Sequence, residues 1–160
     1  MSVDANAPVA LDLTRFLDAP RDLVFAAWTK PEHLSKWFGP HGFTMPVVRV
    51  DLRRGGEWYL EMHGFGEVYP MWAIYEEIVP PERLVFKMQL RDADGHAFLK
   101  TLTTVTFAEH GAKTTLRVVI QVLYAGAGSE TPLEGMADGW DQTLERLEAA
   151  LTTRGESDKR

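Results

Sequence analysis

The chain lacks cysteine altogether, and it is short of positive charge. Among its 160 residues, 17 Lys and Arg are outnumbered by 23 Asp and Glu, which gives a formal net charge of −6. Without cysteine there is no disulfide and no thiolate metal site. Nucleic acid and anionic membranes both require clustered Lys and Arg. We therefore expect neither as a partner.

Long apolar runs are also missing. Every apolar run falls far short of the ~20 residues that cross a bilayer, and MSVDANAPVA at residues 1–10 lacks the apolar core of a signal peptide. These absences predict a cytoplasmic protein. With 45% apolar and 25% charged residues, the composition suits one globular domain. We expect a flexible N-terminus at residues 1–10, a single domain at residues 11–152 and a frayed tail at residues 153–160.

A strand and two short helices are predicted at the start of the domain. The strand covers LDLTRF at residues 11–16, and the helices open at Pro20 and Pro31, where a first-turn proline costs no hydrogen bond. Gly39-Pro40 ends the second helix, because glycine accepts a positive φ and proline cannot continue the helix. The apolar residues of the second helix share one face and are expected to plug one end of the core: Leu34, Trp37 and Phe38.

An antiparallel meander is predicted from Thr44 to Leu123. Apolar residues recur there with a period of two, and turn sequences such as RRGGE, VPPER and RDADGH interrupt the pattern at regular intervals. The segment from Val68 to Ile78 fits one register poorly, because Trp72 shares a face with Glu76. We expect a β-bulge in this segment.

A long amphipathic helix is predicted to close the domain. It begins at Pro132 with Thr131 as its N-cap, and Arg146 lies away from its apolar stripe. The sheet has one apolar face and the helix has one apolar stripe, and each of these surfaces must be buried against another element. We therefore expect the helix to lie on the concave face of the sheet. The stripe consists of Leu133, Met136, Ala137, Trp140, Leu144, Leu147 and Leu151.

Several segments between Leu11 and Leu151 carry a family resemblance. They include FLDAPRDLVFAAWTKPEHLSKWFGP, LRRGGEW, YEEIVPPERLVF, TTVTFAEHGAKTTL and GMADGWDQTLERLEAAL. In this order they resemble the bacterial heat-shock protein 90 ATPase activator-like family of the START-like or SRPBCC superfamily. The resemblance implies an α+β helix-grip fold, in which a curved antiparallel sheet wraps around a long C-terminal helix, with two short helices after the first strand. That superfamily includes lipid and hormone carriers, aromatases and cyclases, and co-chaperone domains, so the fold does not choose among them.

The concave face is the candidate site, and two interpretations of it stay open. Its aromatic side chains either fill the core or, with the helix held away from the sheet, wall a cavity for a small hydrophobic or aromatic ligand. Methionine adapts to varied ligands, and Thr101 and Thr103 would supply polar contacts. The candidate ligand-binding residues are Trp37, Phe38, Trp58, Met62, Trp72, Phe86, Met88, Thr101, Thr103, Phe107, Met136 and Trp140.

Two further functions are weighed against ligand binding. The first is a co-chaperone-like interaction through the outer surface, with a chaperone partner suggested only by analogy to the family. The second is a cyclase or hydrolase that would use His41, which with His33 flanks the predicted plug, or a cavity carboxylate such as Glu76. No catalytic set can be named from spacing, so we do not expect an enzyme.

No cofactor or metal site is predicted, because the five histidines form no HxH or HExxH pair. Exposed strand edges leave a homodimer open.

Overall fold

A single seven-stranded sheet forms the body of the protein. The computed structural model describes residues 7–158, and side chains over residues 7–152. The strands follow one another in the order β1-β7-β6-β5-β4-β3-β2, and every neighbouring pair is antiparallel. The predicted meander is therefore confirmed, with β1 added at its end. The strands are β1 Val9–Leu17, β2 Thr44–Val50, β3 Glu57–Gly64, β4 Glu67–Val79, β5 Arg83–Arg91, β6 Ala97–His110 and β7 Lys113–Ala125.

Two short helices follow β1, as predicted, and two more follow β7. They are α1 Arg21–Thr29, α2 Pro31–Trp37, α3 Glu130–Glu134 and α4 Met136–Asp158. The last helix packs against β1, α1 and α2, and Arg15 of β1 forms an ion pair with Asp141 of α4. This arrangement is the α+β helix-grip fold that the sequence indicates.

The start of the C-terminal helix differs from the prediction. Pro132 lies inside the short helix α3, Ser129 instead of Thr131 precedes that helix, and Gly135 separates α3 from α4. Glycine is a poor helix former, because it loses the most backbone entropy on folding. The predicted stripe is also wrong at Ala137, which is exposed.

The predicted β-bulge is confirmed, and it decides which face Trp72 and Glu76 occupy. The register between β4 and β5 shifts between Tyr75 and Glu77. Trp72 lies on the convex face, opposite Tyr59 and packed under the guanidinium of Arg91, so it cannot wall a concave cavity. Glu76 is exposed on the same face, with its carboxylate 3.7 Å from Lys87 Nζ. The proposed cavity carboxylate at Glu76 is therefore wrong.

The ends of the domain reach slightly beyond the predicted boundaries. β1 begins at Val9 and the backbone of α4 continues to Asp158, whereas residues 1–6 and 159–160 lie outside the described residues. None of the described helices combines the length and the hydropathy needed to cross a membrane.

Leu147 tests the packing of α4 on the concave face. Its side chain is fully buried, with 0% exposure, whereas Leu52 is 45% exposed. We expect Leu147→Ala to lower the free energy of unfolding by about 2–5 kcal/mol, because it removes buried methyl groups and leaves a cavity. The matched control Leu52→Ala should cost less than about 0.5 kcal/mol. Urea denaturation measures both, and equal effects would contradict this packing of α4.

Candidate ligand-binding cavity

A cavity of about 590 Å³ lies between the concave face of the sheet and the helices α3 and α4. Small-molecule sites usually occupy about 300–1,000 Å³. Strand residues such as Met62 and Met88 form its floor, and Met136 and Trp140 cover it. Val68 and Tyr69, which also line it, are 51% and 44% exposed and mark its opening to solvent. The cavity is therefore reachable from outside and large enough for a small molecule.

An aromatic cluster fills the remaining space under α4. Edge-to-face contacts dominate it, which is the geometry that the ring quadrupole favours. Trp37 is fully buried, and its Nε1 donates a hydrogen bond to the Ala27 carbonyl at 2.9 Å. The cavity begins where this cluster ends, at Phe38 and Trp140, whose ring centroids are 5.7 Å apart. The cluster comprises Phe25, Trp28, Trp37, Phe38, Trp58, Tyr75, Phe86, Phe107 and Trp140.

The structure divides the predicted site residues into three groups. Those that line the cavity are Phe38, Met62, Met88, Thr101, Thr103, Met136 and Trp140. Those that belong to the aromatic cluster and do not line the cavity are Trp37, Trp58, Phe86 and Phe107. Only Trp72 lies on the other face of the sheet. Both interpretations of the concave face thus apply, at opposite ends of it.

Several residues that line the cavity mouth are not among those predicted from the sequence. The two rings of Phe43 and Tyr69 stand 5.9 Å apart there. With the bulge placed at Glu76, the period of two puts Met71 on the concave face, opposite Leu60. No periodic signal identifies Arg91, because it is the last residue of its strand. The lining residues missed also include Phe98 and Ile120.

The polar groups of the cavity are few. Thr101 and Thr103 are 6% and 2% exposed, and neither hydroxyl has a hydrogen-bond partner among the described residues. The third buried hydroxyl, that of Thr143, donates to the Gly139 carbonyl at 2.7 Å. Two hydroxyls on the sheet side therefore remain available to a ligand.

A single guanidinium holds the loop at residues 36–43 against α4. Nη1 of Arg146 donates to the carbonyls of Gly39 at 2.9 Å, Phe43 at 3.1 Å and Pro40 at 3.2 Å. Gly39 has a φ of 98°, which the chain needs to turn here and which only glycine adopts readily. Burial lowers the pKa of Arg146, yet a guanidinium stays charged and offers five donors. Phe38 and Lys36 provide the longer contacts at 3.4 and 3.3 Å.

His41 lies near the mouth, where its side chain contacts that of Glu145. Its Nε2 is 3.0 Å from Glu145 Oε1, and its backbone N–H donates to Gln142 Oε1 at 3.1 Å. Both side chains of the His41–Glu145 pair are more than half exposed, and neither lines the cavity. His33 lies half-buried on α2 and does not line it either. The cavity therefore receives no acid–base pair from these residues.

The turn between β5 and β6 brings Asp92, Asp94 and His96 together. Their potential ligand atoms lie within 4.8 Å of one another, and all three residues are exposed. Asp92 Oδ1 accepts the backbone N–H groups of Asp94 and His96 at 2.9 and 3.0 Å. The carboxylate thereby holds the turn, and we assign the cluster that structural role.

Comparison with known proteins agrees with this geometry. The family model described as "Activator of Hsp90 ATPase homolog 1-like protein" matches residues 18–152. A Chromobacterium violaceum protein of known crystal structure is 30% identical, and the match covers 88% of this chain and 95% of that one, with a TM-score of 0.74. A Nitrosomonas europaea protein of known crystal structure is 26% identical, and the match covers 91% of this chain and 96% of that one, with a TM-score of 0.75. No curated protein matches the chain.

A further solved structure bears on the fold alone. The AHSA1 protein of Silicibacter pomeroyi is 22% identical and has a TM-score of 0.77, with the match covering 90% of this chain and 98% of that one.

Arg146 provides a direct test of how the mouth is held. We expect Arg146→Met to lower the free energy of unfolding by about 1–3 kcal/mol, because several part-buried carbonyls lose their donor. Arg146→Lys should recover little of this lost stability, since an ammonium lacks the planar fork of donors that a guanidinium offers. Hydrogen exchange should speed up at residues 38–43 and stay unchanged in β6.

Arg117→Met is the matched control for this test. Its exposed ion pair with Asp12 should contribute little, because solvent screens such pairs. An Arg146→Met protein with the stability and exchange of the control would contradict the role of Arg146.

Proposed function

The chain belongs to the family of Activator of Hsp90 ATPase homolog 1-like proteins, and from that premise we propose that it binds a small, largely apolar molecule in the cavity beneath α4. One observation carries the proposal: an apolar cavity of about 590 Å³ has unpaired hydroxyls at Thr101 and Thr103. Apolar walls with a few polar groups that fix orientation are what small-molecule sites usually offer.

The composition of the walls supports a ligand of adaptable shape. Four methionines line the cavity: Met62, Met71, Met88 and Met136. The thioether side chain is flexible and polarisable, so it can follow the outline of different apolar molecules. Trp140 and Phe38 add flat aromatic surface beside them. Burial of apolar ligand surface here would contribute about 25 cal/mol per Å².

The first experiment is native mass spectrometry of the purified protein beside its denatured spectrum. A mass difference that disappears on denaturation would support the proposal and identify the class of the ligand. The same spectrum counts the subunits, which decides between a monomer and the homodimer that the exposed strand edges leave open. Cytoplasmic location stays a prediction.

A cavity-filling substitution tests the site itself. Gly139 lines the cavity, and a Cβ added there would meet only Pro40, at an ordinary 3.8 Å. We expect Gly139→Leu to weaken binding of the neutral fluorescent probe 1-N-phenylnaphthylamine at least tenfold, because the new side chain occupies the cavity. Leucine also favours a helix over glycine, so folding should be preserved.

The matched control places the same side chain outside the cavity. Ala137 is exposed on α4 and does not line the cavity. Ala137→Leu should therefore bind the probe as the unaltered chain does in a fluorescence titration. The proposal fails if the unaltered chain does not bind the probe, or if both variants bind it equally well.

A second candidate function, a co-chaperone-like interaction, is favoured by the convex face. On this face one residue from each of the strands β2 to β7 stands directly opposite the next, and we call these six residues the convex row: Arg49, Tyr59, Trp72, Gln89, Lys100 and Tyr124. Three cations lie over aromatic rings on the same face. Arg49 lies over Tyr59 at 5.2 Å, Arg91 over Trp72 at 4.1 Å and Lys100 over Tyr124 at 6.0 Å.

Aromatic and arginine side chains are enriched in protein interfaces. In a chain of net charge −6, such a face suits an acidic partner surface, here that of a chaperone ATPase.

Charge reversal distinguishes the two functions. If the convex row binds a chaperone, the unaltered chain should raise the ATPase rate of a purified bacterial Hsp90. The variant Arg49→Glu/Lys100→Glu should abolish that rise, because both exposed cations then repel an acidic surface. Gly139→Leu should leave it unchanged. Absence of stimulation by the unaltered chain would exclude this candidate.

A further inference from the structure

Two threonines of β6 place their hydroxyls among apolar neighbours on the floor of the cavity. Thr101 and Thr103 are buried and line the cavity. The residues that pair with them on β5 and β7 are all apolar: Met88 and Val122 for Thr101, and Phe86 and Ile120 for Thr103. The neighbouring strands therefore offer these two hydroxyls no polar side chain.

The two hydroxyl oxygens face the space of the cavity and are not sealed in the packed interior. Neither has a hydrogen-bond partner among residues 7–152. The described side-chain atoms that are both sealed from solvent and without a partner lie elsewhere, at Arg21, Trp28, Trp58 and Thr115. A molecule in the cavity can therefore reach the hydroxyls of Thr101 and Thr103.

Valine would fill either position with the same shape and without the polar group. Burying a hydroxyl without a hydrogen bond costs free energy, and local rules of this kind are broken mainly where a functional site requires it. Two such threonines on one face of β6, Thr101 and Thr103, thus indicate a polar contact with the ligand.

The cavity offers no charged partner to a ligand. None of the described residues that line it is Asp, Glu, Lys or His. Arg91 borders the cavity, but its guanidinium lies over the Trp72 ring and donates to Gln89, both on the convex face. A charged ligand group would lose its hydration here without gaining a partner, which is unfavourable. The site therefore favours an uncharged ligand.

We propose that the ligand of this cavity is an uncharged, largely apolar molecule with a carbonyl group, whose oxygen accepts hydrogen bonds from Thr101 and Thr103. The two residues lie on one face of the strand, about 6.5–7 Å apart along it. A carbonyl oxygen has two lone pairs and no proton, so it can accept from both hydroxyls and adds no donor that needs a further acceptor. The proposal rests on the proposed ligand-binding function and adds the polar group that the ligand carries.

Four naphthalene derivatives with the same number of non-hydrogen atoms test this polar group. They are the ketone 2-acetylnaphthalene, the alkene 2-isopropenylnaphthalene, the anion 2-naphthoate and the cation of 1-(2-naphthyl)ethylamine. Each competes with 1-N-phenylnaphthylamine for the unaltered chain at pH 7, where the acid and the amine are ionised. We expect the ketone to bind at least tenfold tighter than either ion, because neither charge finds a partner in the cavity.

Replacement of both threonines by valine assigns the polar contact to their hydroxyls. The variant Thr101→Val/Thr103→Val should bind the ketone about tenfold more weakly, because its oxygen loses both donors, and should bind the alkene as before. Thr104→Val is the matched control, because Thr104 lies between them on β6 but on the convex face and does not line the cavity. It should keep the affinities of the unaltered chain.

The stability of the protein without ligand gives an independent measure. Because the hydroxyls of Thr101 and Thr103 have no partner in the described chain, the double variant should unfold at an equal or higher urea concentration than the unaltered chain. Unfolding at a lower urea concentration would show that the hydroxyls hold the fold together, and would overturn the proposal.

The outcomes separate this inference from the function on which it rests. If the probe binds but the double variant keeps the unaltered ratio of ketone to alkene affinity, the carbonyl assignment is overturned and ligand binding stands. The same holds if either ion binds as tightly as the ketone, or if Thr104→Val changes the ratio equally. If the probe itself does not bind, both fail.

Discussion

The contact between the Arg146 guanidinium and the backbone carbonyls of the loop at residues 36–43 is the constraint on which the site depends. Its donors reach carbonyls from Lys36 to Phe43, and the same helix holds the loop at His41 through Gln142 and Glu145. That loop carries Phe38 at the edge of the aromatic cluster and Phe43 at the cavity mouth. The guanidinium therefore sets both the inner limit and the opening of the cavity.

The aromatic cluster and the cavity are two outcomes of the same architecture. Where α1 and α2 lie under α4, tryptophan and phenylalanine side chains fill the space between helix and sheet. Beyond Trp140 none of the helical side chains that the structure describes is aromatic at the cavity, and methionine and threonine residues of the strands line the space instead. Dense aromatic packing is concentrated at one end of the concave face, and the cavity lies at the other. Fully packed residues are rigid, whereas methionine side chains adapt.

The period of two predicted the concave face well and the cavity only in part. Phe86 and Met88 share that face, two residues apart on β5, yet Phe86 contacts the aromatic cluster and Met88 lines the cavity. Periodicity predicts the face of the sheet on which a side chain lies, but not its position along the concave face. The expected place of Trp72 on the concave face is wrong for another reason. The bulge at Glu76 reverses the alternation of faces along β4, and the position of this bulge is fixed by the pairing of β4 with β5.

The sequence by itself determined the meander from β2 to β7, the short helices after β1, the amphipathic C-terminal helix and the family, because these follow from local periodicity, turn residues and short motifs. Tertiary structure alone decided the role of Arg146 and the place of β1 in the sheet. The Arg146 guanidinium donates to carbonyls more than 100 residues earlier in the chain, and β1 pairs with β7, the last strand of the chain. Neither feature leaves a local pattern, since each arises from groups that only folding brings together.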